Sequence, residues 1–170
     1  MLTKYIIVFF ISMIPLIELR GAIPVALSPA DMTFFGCLNG MGLPMVPAYI
    51  TCIIGNMIPV PIIFFFARKV LEWGAEKPVI GKFFTFCLEK GHKGGVKLQE
   101  KAGRGLFLAL LLFVGIPLPG TGAWTGTLAA SLLDMDFKSS VVAVLLGVVL
   151  AGVIMGLVSA GVFGALGALL

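Results

Sequence analysis

Three uncharged runs, residues 32–67, 105–133 and 139–170, each exceed the roughly 20 residues that a helix needs to cross bilayer hydrocarbon. With 59% of its 170 residues hydrophobic and 12% charged, the chain carries more apolar surface than a soluble core of this size could hide. It therefore reads as an all-α integral membrane protein. A shorter run, residues 5–17, covers about 20 Å at about 1.5 Å per residue, less than the ~30 Å apolar thickness. Lys4 ahead of it imitates the start of a secretory signal. Pro15, Glu18 and Arg20 then stand where a cleavage site belongs, so the segment is expected to be retained.

Charge sets the orientation. Residues 68–104 hold nine of the twelve Lys and Arg against four glutamates, a net +5. The positive-inside rule puts this loop in the cytoplasm of a multi-pass protein of the cell (plasma) membrane. Topology thus accounts for the basic balance, and nucleic acid is not an implied partner. Within the loop Val79, Ile80, Phe83, Phe84, Cys87 and Leu88 recur at helical spacing. That suits either an amphipathic helix on the inner membrane surface or a connecting helix packed on the bundle. The glycine-rich "GHKGGVK" lacks the spacing of a phosphate-binding loop. Cys37, Cys52 and Cys87 form no CxxC pair and His92 stands alone, so no metal, disulfide framework or cofactor is expected.

Two stretches interrupt the membrane pattern. Ala22-Ile23-Pro24 matches Gly115-Ile116-Pro117, and the same offset of 93 residues carries the crossing at 44–67 onto residues 137–160, within the last uncharged stretch. Proline lacks an amide hydrogen and pushes its predecessor out of the helical region, so Ile23, Ile116 and Leu118 are expected to be extended or turned. Backbone groups freed in this way must be buried in protein or line a water-filled cavity. "GIPLPGTGAWTG", residues 115–126, is the stronger break, and it divides residues 105–133 into two arms of about 15 Å each. Residues 5–27 read as a similar hairpin opening to the outside.

The single membrane domain, 1–170, then has two halves of inverted topology, 1–67 and 105–170, joined by the basic cytoplasmic loop. Each half is a re-entrant helical hairpin, 5–27 or 105–133, plus a transmembrane helix, 44–67 or 139–170. This is the inverted-repeat plan of secondary transporters, whose sites lie near the midplane where broken helices meet. Four plain spanning helices kinked at proline are the competing arrangement. Gly152, Gly156, Ala160, Gly164 and Ala168 recur every four residues, a face suited to intramolecular packing or to a homodimer. Asp134 and Asp136, beside Lys138, read as a solvated helix cap.

"ELRGAIPVA" and "GIPLPGTGAWTG", with the short length and the basic central loop, resemble the small multidrug export protein family, itself similar to DedA-like (VTT-domain) membrane proteins. The resemblance implies a transporter with paired re-entrant hairpins, with some relatives moving lipid-linked phosphates or scrambling lipids. By position it points to Glu18, Arg20, Gly21 and Pro24 in the first hairpin, and to Pro117, Pro119, Gly120 and Gly122 in the second. DedA-like proteins place an arginine in the second motif, whereas residues 105–133 here carry no charge.

Glu18 and Arg20 are the only charges within the first hairpin, and a charge inside a bilayer faces a cavity, a partner or both. A structural or snorkelling ion pair is the bland reading. The functional one is a secondary transporter, coupled to protons, for a small anionic or lipid-phosphate substrate. In it Glu18 exchanges the proton, since burial raises a carboxyl pKa and a nearby arginine lowers it. Arg20 holds the anion, and exposed amides of the second hairpin complete the site. Thr121, Trp124 and Thr125 add polar handles. A lipid scramblase or flippase, in contact with membrane lipids, and a non-transporting assembly subunit are the alternatives. No enzyme is expected, because no nucleophile with a base, carboxylate dyad or metal cluster lies in the membrane segments.

Overall fold

Prolines, and the residues just ahead of them, decide where most of the helices stop. The computed structural model describes residues 1–15, 17–30, 32–34, 38–76, 85, 105–118 and 120–169. Helix α1 (Leu2–Met13) ends at Ile14, which precedes Pro15 and is extended at φ −71°, ψ 127°. Helix α2 (Glu18–Leu27) stops in the same way at Ser28, ahead of Pro29, at φ −67°, ψ 152°. Strands β1 (Thr33–Phe34) and β2 (Leu38–Asn39) form a two-residue antiparallel pairing, and the other regular elements among the described residues are helical. Helices α3 (Met45–Met57) and α4 (Pro59–Ala75) are separated only by Ile58, itself in the helical region, so Met45–Ala67 is one apolar span of 23 residues.

Helix α5 (Gly105–Gly115) gives way at Ile116 and Pro117, and α6 (Ala123–Leu132) starts after Gly122. Asp134, at φ +58°, closes α6 by letting the amide of Met135 reach Ala130 O at 3.0 Å and its own amide reach Ser131 O at 3.4 Å. Two residues later Asp136 Oδ2 accepts the Ser139 amide at 3.1 Å and caps α7 (Phe137–Leu169). The aspartates thus act as helix caps, as the sequence suggested. Phe137–Gly161 is the second apolar span, of 25 residues.

Three expectations need correction. Pro24 does not break the chain: it lies inside α2, which runs on to Leu27, and the first interruption is at Pro15. A proline is tolerated within a membrane helix where its surroundings satisfy the freed backbone groups. The Ile-Pro pair that interrupts the helices as Ile116-Pro117 does is therefore Ile14-Pro15, not Ile23-Pro24, at an offset of 102 rather than 93. The basic segment expected to begin at residue 68 opens as helix, since α4 continues to Ala75. The residues of the amphipathic pattern, Val79, Ile80, Phe83, Phe84, Cys87 and Leu88, lie outside the described residues.

The two ends of the molecule are distinguished by their contacts. Lys4 Nζ donates to Met41 O at 2.7 Å, and Gly55 has its Cα against Ser12 and Phe9 O. Helices α1 and α3 therefore run in the same direction from one end. At the other end Phe137 packs edge-on to Phe64 with centroids 5.3 Å apart, and Ser131 Oγ donates to Phe64 O at 2.8 Å. Helices α5 and α7 meet where Gly147 lies on Val114 and Leu111 O, and where Gly115 lies on Leu150. Helix α2 packs on α7 as well as α3, and α6 packs on α4 as well as α7, so each half covers the other's long helix.

Helix α2 occupies the centre, with Leu19, Ala22, Ile23, Val25 and Ala26 buried. The outward faces are apolar: Phe10, Ile54, Ile62, Phe65, Leu146, Val149 and Leu157 are all exposed. A soluble monomer does not carry such a belt. Together with the two long spans it marks a membrane protein.

Candidate functional site

The breaks between α1 and α2 and between α5 and α6 dock on each other, and each uses the polar groups that the other frees. Glu18, the first residue of α2, takes φ +47°, which residues with a side chain adopt seldom and at a cost of about 1–2 kcal/mol. The residue is 6% exposed. Its Oε2 accepts the amide of Ala123 at 3.2 Å and its Oε1 the amide of Trp124 at 3.1 Å, the first two N–H groups of α6. A helix N-terminus offers unpaired N–H groups and a positive dipole end, and an anion satisfies both. Glu18 thus seats its carboxyl group on the start of α6 from more than a hundred residues away.

Gly122 makes this approach possible. At φ +151° it holds a conformation open mainly to glycine, and a Cβ there would fall on Glu18 Oε2.

Arg20 serves the other side of the same break. Its guanidinium donates to Leu118 O and, at 2.7 Å, to Thr121 Oγ1. Thr121 Oγ1 also lies 2.9 Å from both Ile116 O and Leu118 O, tying the loop to the end of α5. Trp124 completes the junction in the reverse direction: its Nε1 donates at 3.2 Å to Met13 O, a carbonyl left without a helical partner at the end of α1.

A cleft of about 400 Å³ opens at this junction. Glu18, Arg20, Thr121 and Thr125 supply its polar wall, with Pro117, Gly120 and Trp124 beside them. Gly120, at φ +82°, has open space where a side chain would be. A second hollow of about 440 Å³ lies between α4 and α6 on Ile63, Phe66, Val70 and Leu128, and shares Pro15, Trp124 and Thr125 with the cleft. Its lining is entirely apolar.

Of the residues singled out in the sequence, Glu18, Arg20, Pro117, Gly120, Thr121, Trp124 and Thr125 line the cleft, and Gly122 lies against the Glu18 carboxylate without lining it. Gly21 and Pro24 are within α2 and do not line it, and Pro119 lies outside the described residues. The amides of the second break are not exposed for a ligand as expected: Glu18 already holds those of Ala123 and Trp124. The sequence reading missed Pro15 and Met155, which also line the cleft. Pro15 had a signal, because Ile14-Pro15-Leu16 is repeated as Ile116-Pro117-Leu118.

The small-residue face of α7 is used within the chain. A Cβ at Gly152 would stand 3.0 Å from the Tyr49 ring, and one at Gly156 would strike the Tyr49 hydroxyl. Ala160 is exposed, and Gly164 lies further along the same helix. Among the described residues no cluster of His, Cys, Asp or Glu is arranged to hold a metal.

A family model described as "Putative small multi-drug export protein" matches residues 18–154, from Glu18 through both breaks to the middle of α7. No curated protein and no solved structure matches the chain.

Proposed function

The chain belongs to the small multi-drug export protein family, and on that premise we propose that it is a secondary transporter of the cell membrane, coupled to protons, which moves a small anionic or lipid-phosphate substrate through a midplane site between its two breaks. It is a transporter and not an enzyme. The observation that carries this reading is the Glu18 carboxylate on the first amides of α6.

In this reading α1–α2 and α5–α6 are re-entrant hairpins of two inverted halves. Their helices have 10 to 12 residues and reach only about 15–18 Å, roughly half of the apolar thickness. The Lys4 contact with Met41 supports a first hairpin that begins and returns at one end, and the Ser131 and Phe137 contacts with Phe64 support a second that closes at the other. Kinship with DedA-like proteins belongs to the same proposal. The positive-inside rule places loop 68–104, and with it the Phe64 end, in the cytoplasm.

The mechanism is competition for one anion seat. With Glu18 ionised, its charge-assisted hydrogen bonds hold α6 against α2 and close the site. Protonation removes the charge, weakens those bonds and frees the amides of Ala123 and Trp124. A substrate anion then takes the vacated seat, with Arg20 as its counter-charge. Proton and anion occupy the site together and reach either side together.

The test is uptake into proteoliposomes driven by a pH gradient. Glu18→Gln, which keeps the shape and loses the titration, should abolish the dependence on the gradient. Coupling that survives in this variant would remove Glu18 from the mechanism. The scramblase reading is favoured by one observation, the apolar hollow beside the cleft. It requires lipid translocation by the wild-type protein with no ion gradient at all.

A further inference from the structure

Asn56, on α3, is 2% exposed, and its Oδ1 has no hydrogen-bond partner among the described residues. A buried acceptor left unpaired inside a membrane protein is costly unless something meets it. The acceptors beside it are in the same position. Pro59 and Pro61 carry no N–H, so within the continuous helical span the carbonyls of Gly55 and Met57 lack the donor four residues on. Gly55 is buried against α1, where a Cβ would strike Ser12 Oγ. Ser12 is fully buried and gives its hydroxyl hydrogen to Phe9 O at 2.7 Å, which leaves only lone pairs on its oxygen.

No positive group answers these oxygens from α1, α2 or α3. Neither α1 nor α3 has a basic residue in its last turn. Lys4 and Arg20, the only basic residues of the three helices, are held at Met41 O and at the second break. The contact of Ser12 with Gly55 also sets the C-terminal end of α1, the negative end of its dipole, level with Asn56. We infer that the tip of the first hairpin binds a monovalent metal cation, sodium, between α1 and α3, through Asn56 Oδ1, Gly55 O and Ser12 Oγ. Oxygen ligands suit a hard cation, and three neutral ones suit a single charge rather than two. The ion ties α1 to α3 beside Met13, whose carbonyl holds the Trp124 indole. The inference needs neither a protonated Glu18 nor a substrate, so it stands or falls apart from the anion seat proposed above.

The experiment uses the full chain in detergent, with sodium chloride replacing choline chloride at constant ionic strength. It reads the thermal unfolding midpoint together with the binding of radioactive sodium. The midpoint should rise saturably with sodium, in step with the bound isotope. Asn56→Leu, similar in volume and without the orphan acceptor, should unfold in choline at or above the wild-type midpoint and lose both responses. Asn56→Asp adds a negative charge and should lower the half-saturating sodium concentration about tenfold, whereas Ser12→Ala removes a ligand and should raise it about tenfold. A wild type with no saturable response would mean that water meets the acceptors, and a response unchanged in Asn56→Leu would place the ion elsewhere. Either result overturns the inference. An unchanged half-saturating concentration in Ser12→Ala overturns it as well, whether or not Asn56→Leu folds.

Discussion

The carboxyl group of Glu18 lies against Gly122 so closely that one added carbon on the glycine would collide with Oε2. Two residues over a hundred positions apart thereby fix how the first half of the chain sits on the second. Gly122→Ala meets both the clash and a backbone conformation that side chains avoid. It should cost about 2–3 kcal/mol, seen as a lower thermal unfolding midpoint in detergent. A midpoint equal to the wild type would mean that the two breaks do not meet as described.

Arg20 spans two acceptors on the second break, Leu118 O and Thr121 Oγ1. Lysine keeps the charge but lacks the planar fork. Arg20→Lys should therefore destabilise by about 1–2 kcal/mol, and Thr121→Val by less than Arg20→Lys, since it leaves the Leu118 contact available. Chemical unfolding of the two variants side by side gives the order. Thr121→Val as the more damaging change would contradict the fork.

The arms of the second interruption were legible in the sequence because its glycines and prolines are dense. Helices α5 and α6 together run from Gly105 to Leu132, against an expected hairpin of 105–133. The first interruption was misplaced because Pro24 and Pro15 look equivalent to a local rule. What separates them is tertiary: Pro24 is in a helix buried on several sides, whereas Pro15 stands at a junction where Trp124 collects the stranded Met13 carbonyl. That Glu18 and Arg20 would meet a partner or a cavity could be read from the cost of charge in a membrane. Their partners could not, because backbone N–H and C=O groups have no signature in the sequence. The continuation of α4 through Arg68 and Lys69 was hidden by the assumption that charge ends a crossing, although a helix can extend beyond the bilayer surface.

Gly156 and Tyr49 form a pair that can be tested as a cycle. Gly156→Ala should be destabilising in the wild type because its methyl would strike the Tyr49 hydroxyl. In a Tyr49→Phe background that hydroxyl is gone, and the cost should fall by about 1 kcal/mol or more. An alanine effect independent of Tyr49 would transfer this face of α7 to a contact between chains.

Ala30 follows α2, and Lys138 lies at the start of α7; both are exposed. In a chain whose three cysteines are replaced by alanine, Ala30→Cys should react with an impermeant maleimide from outside the cell, and Lys138→Cys only after the membrane is opened. Reaction of both from one side would exclude two hairpins of opposite orientation.

The most direct measurement follows Trp124 emission against pH in the ligand-free protein carrying Trp73→Phe. If protonation of Glu18 releases the Trp124 amide, emission should change in a single protonation step. Glu18→Gln should abolish that step and hold the emission at its acid-side value throughout. The same step persisting in Glu18→Gln would show that another group titrates, and would contradict the proposal that Glu18 holds the site closed.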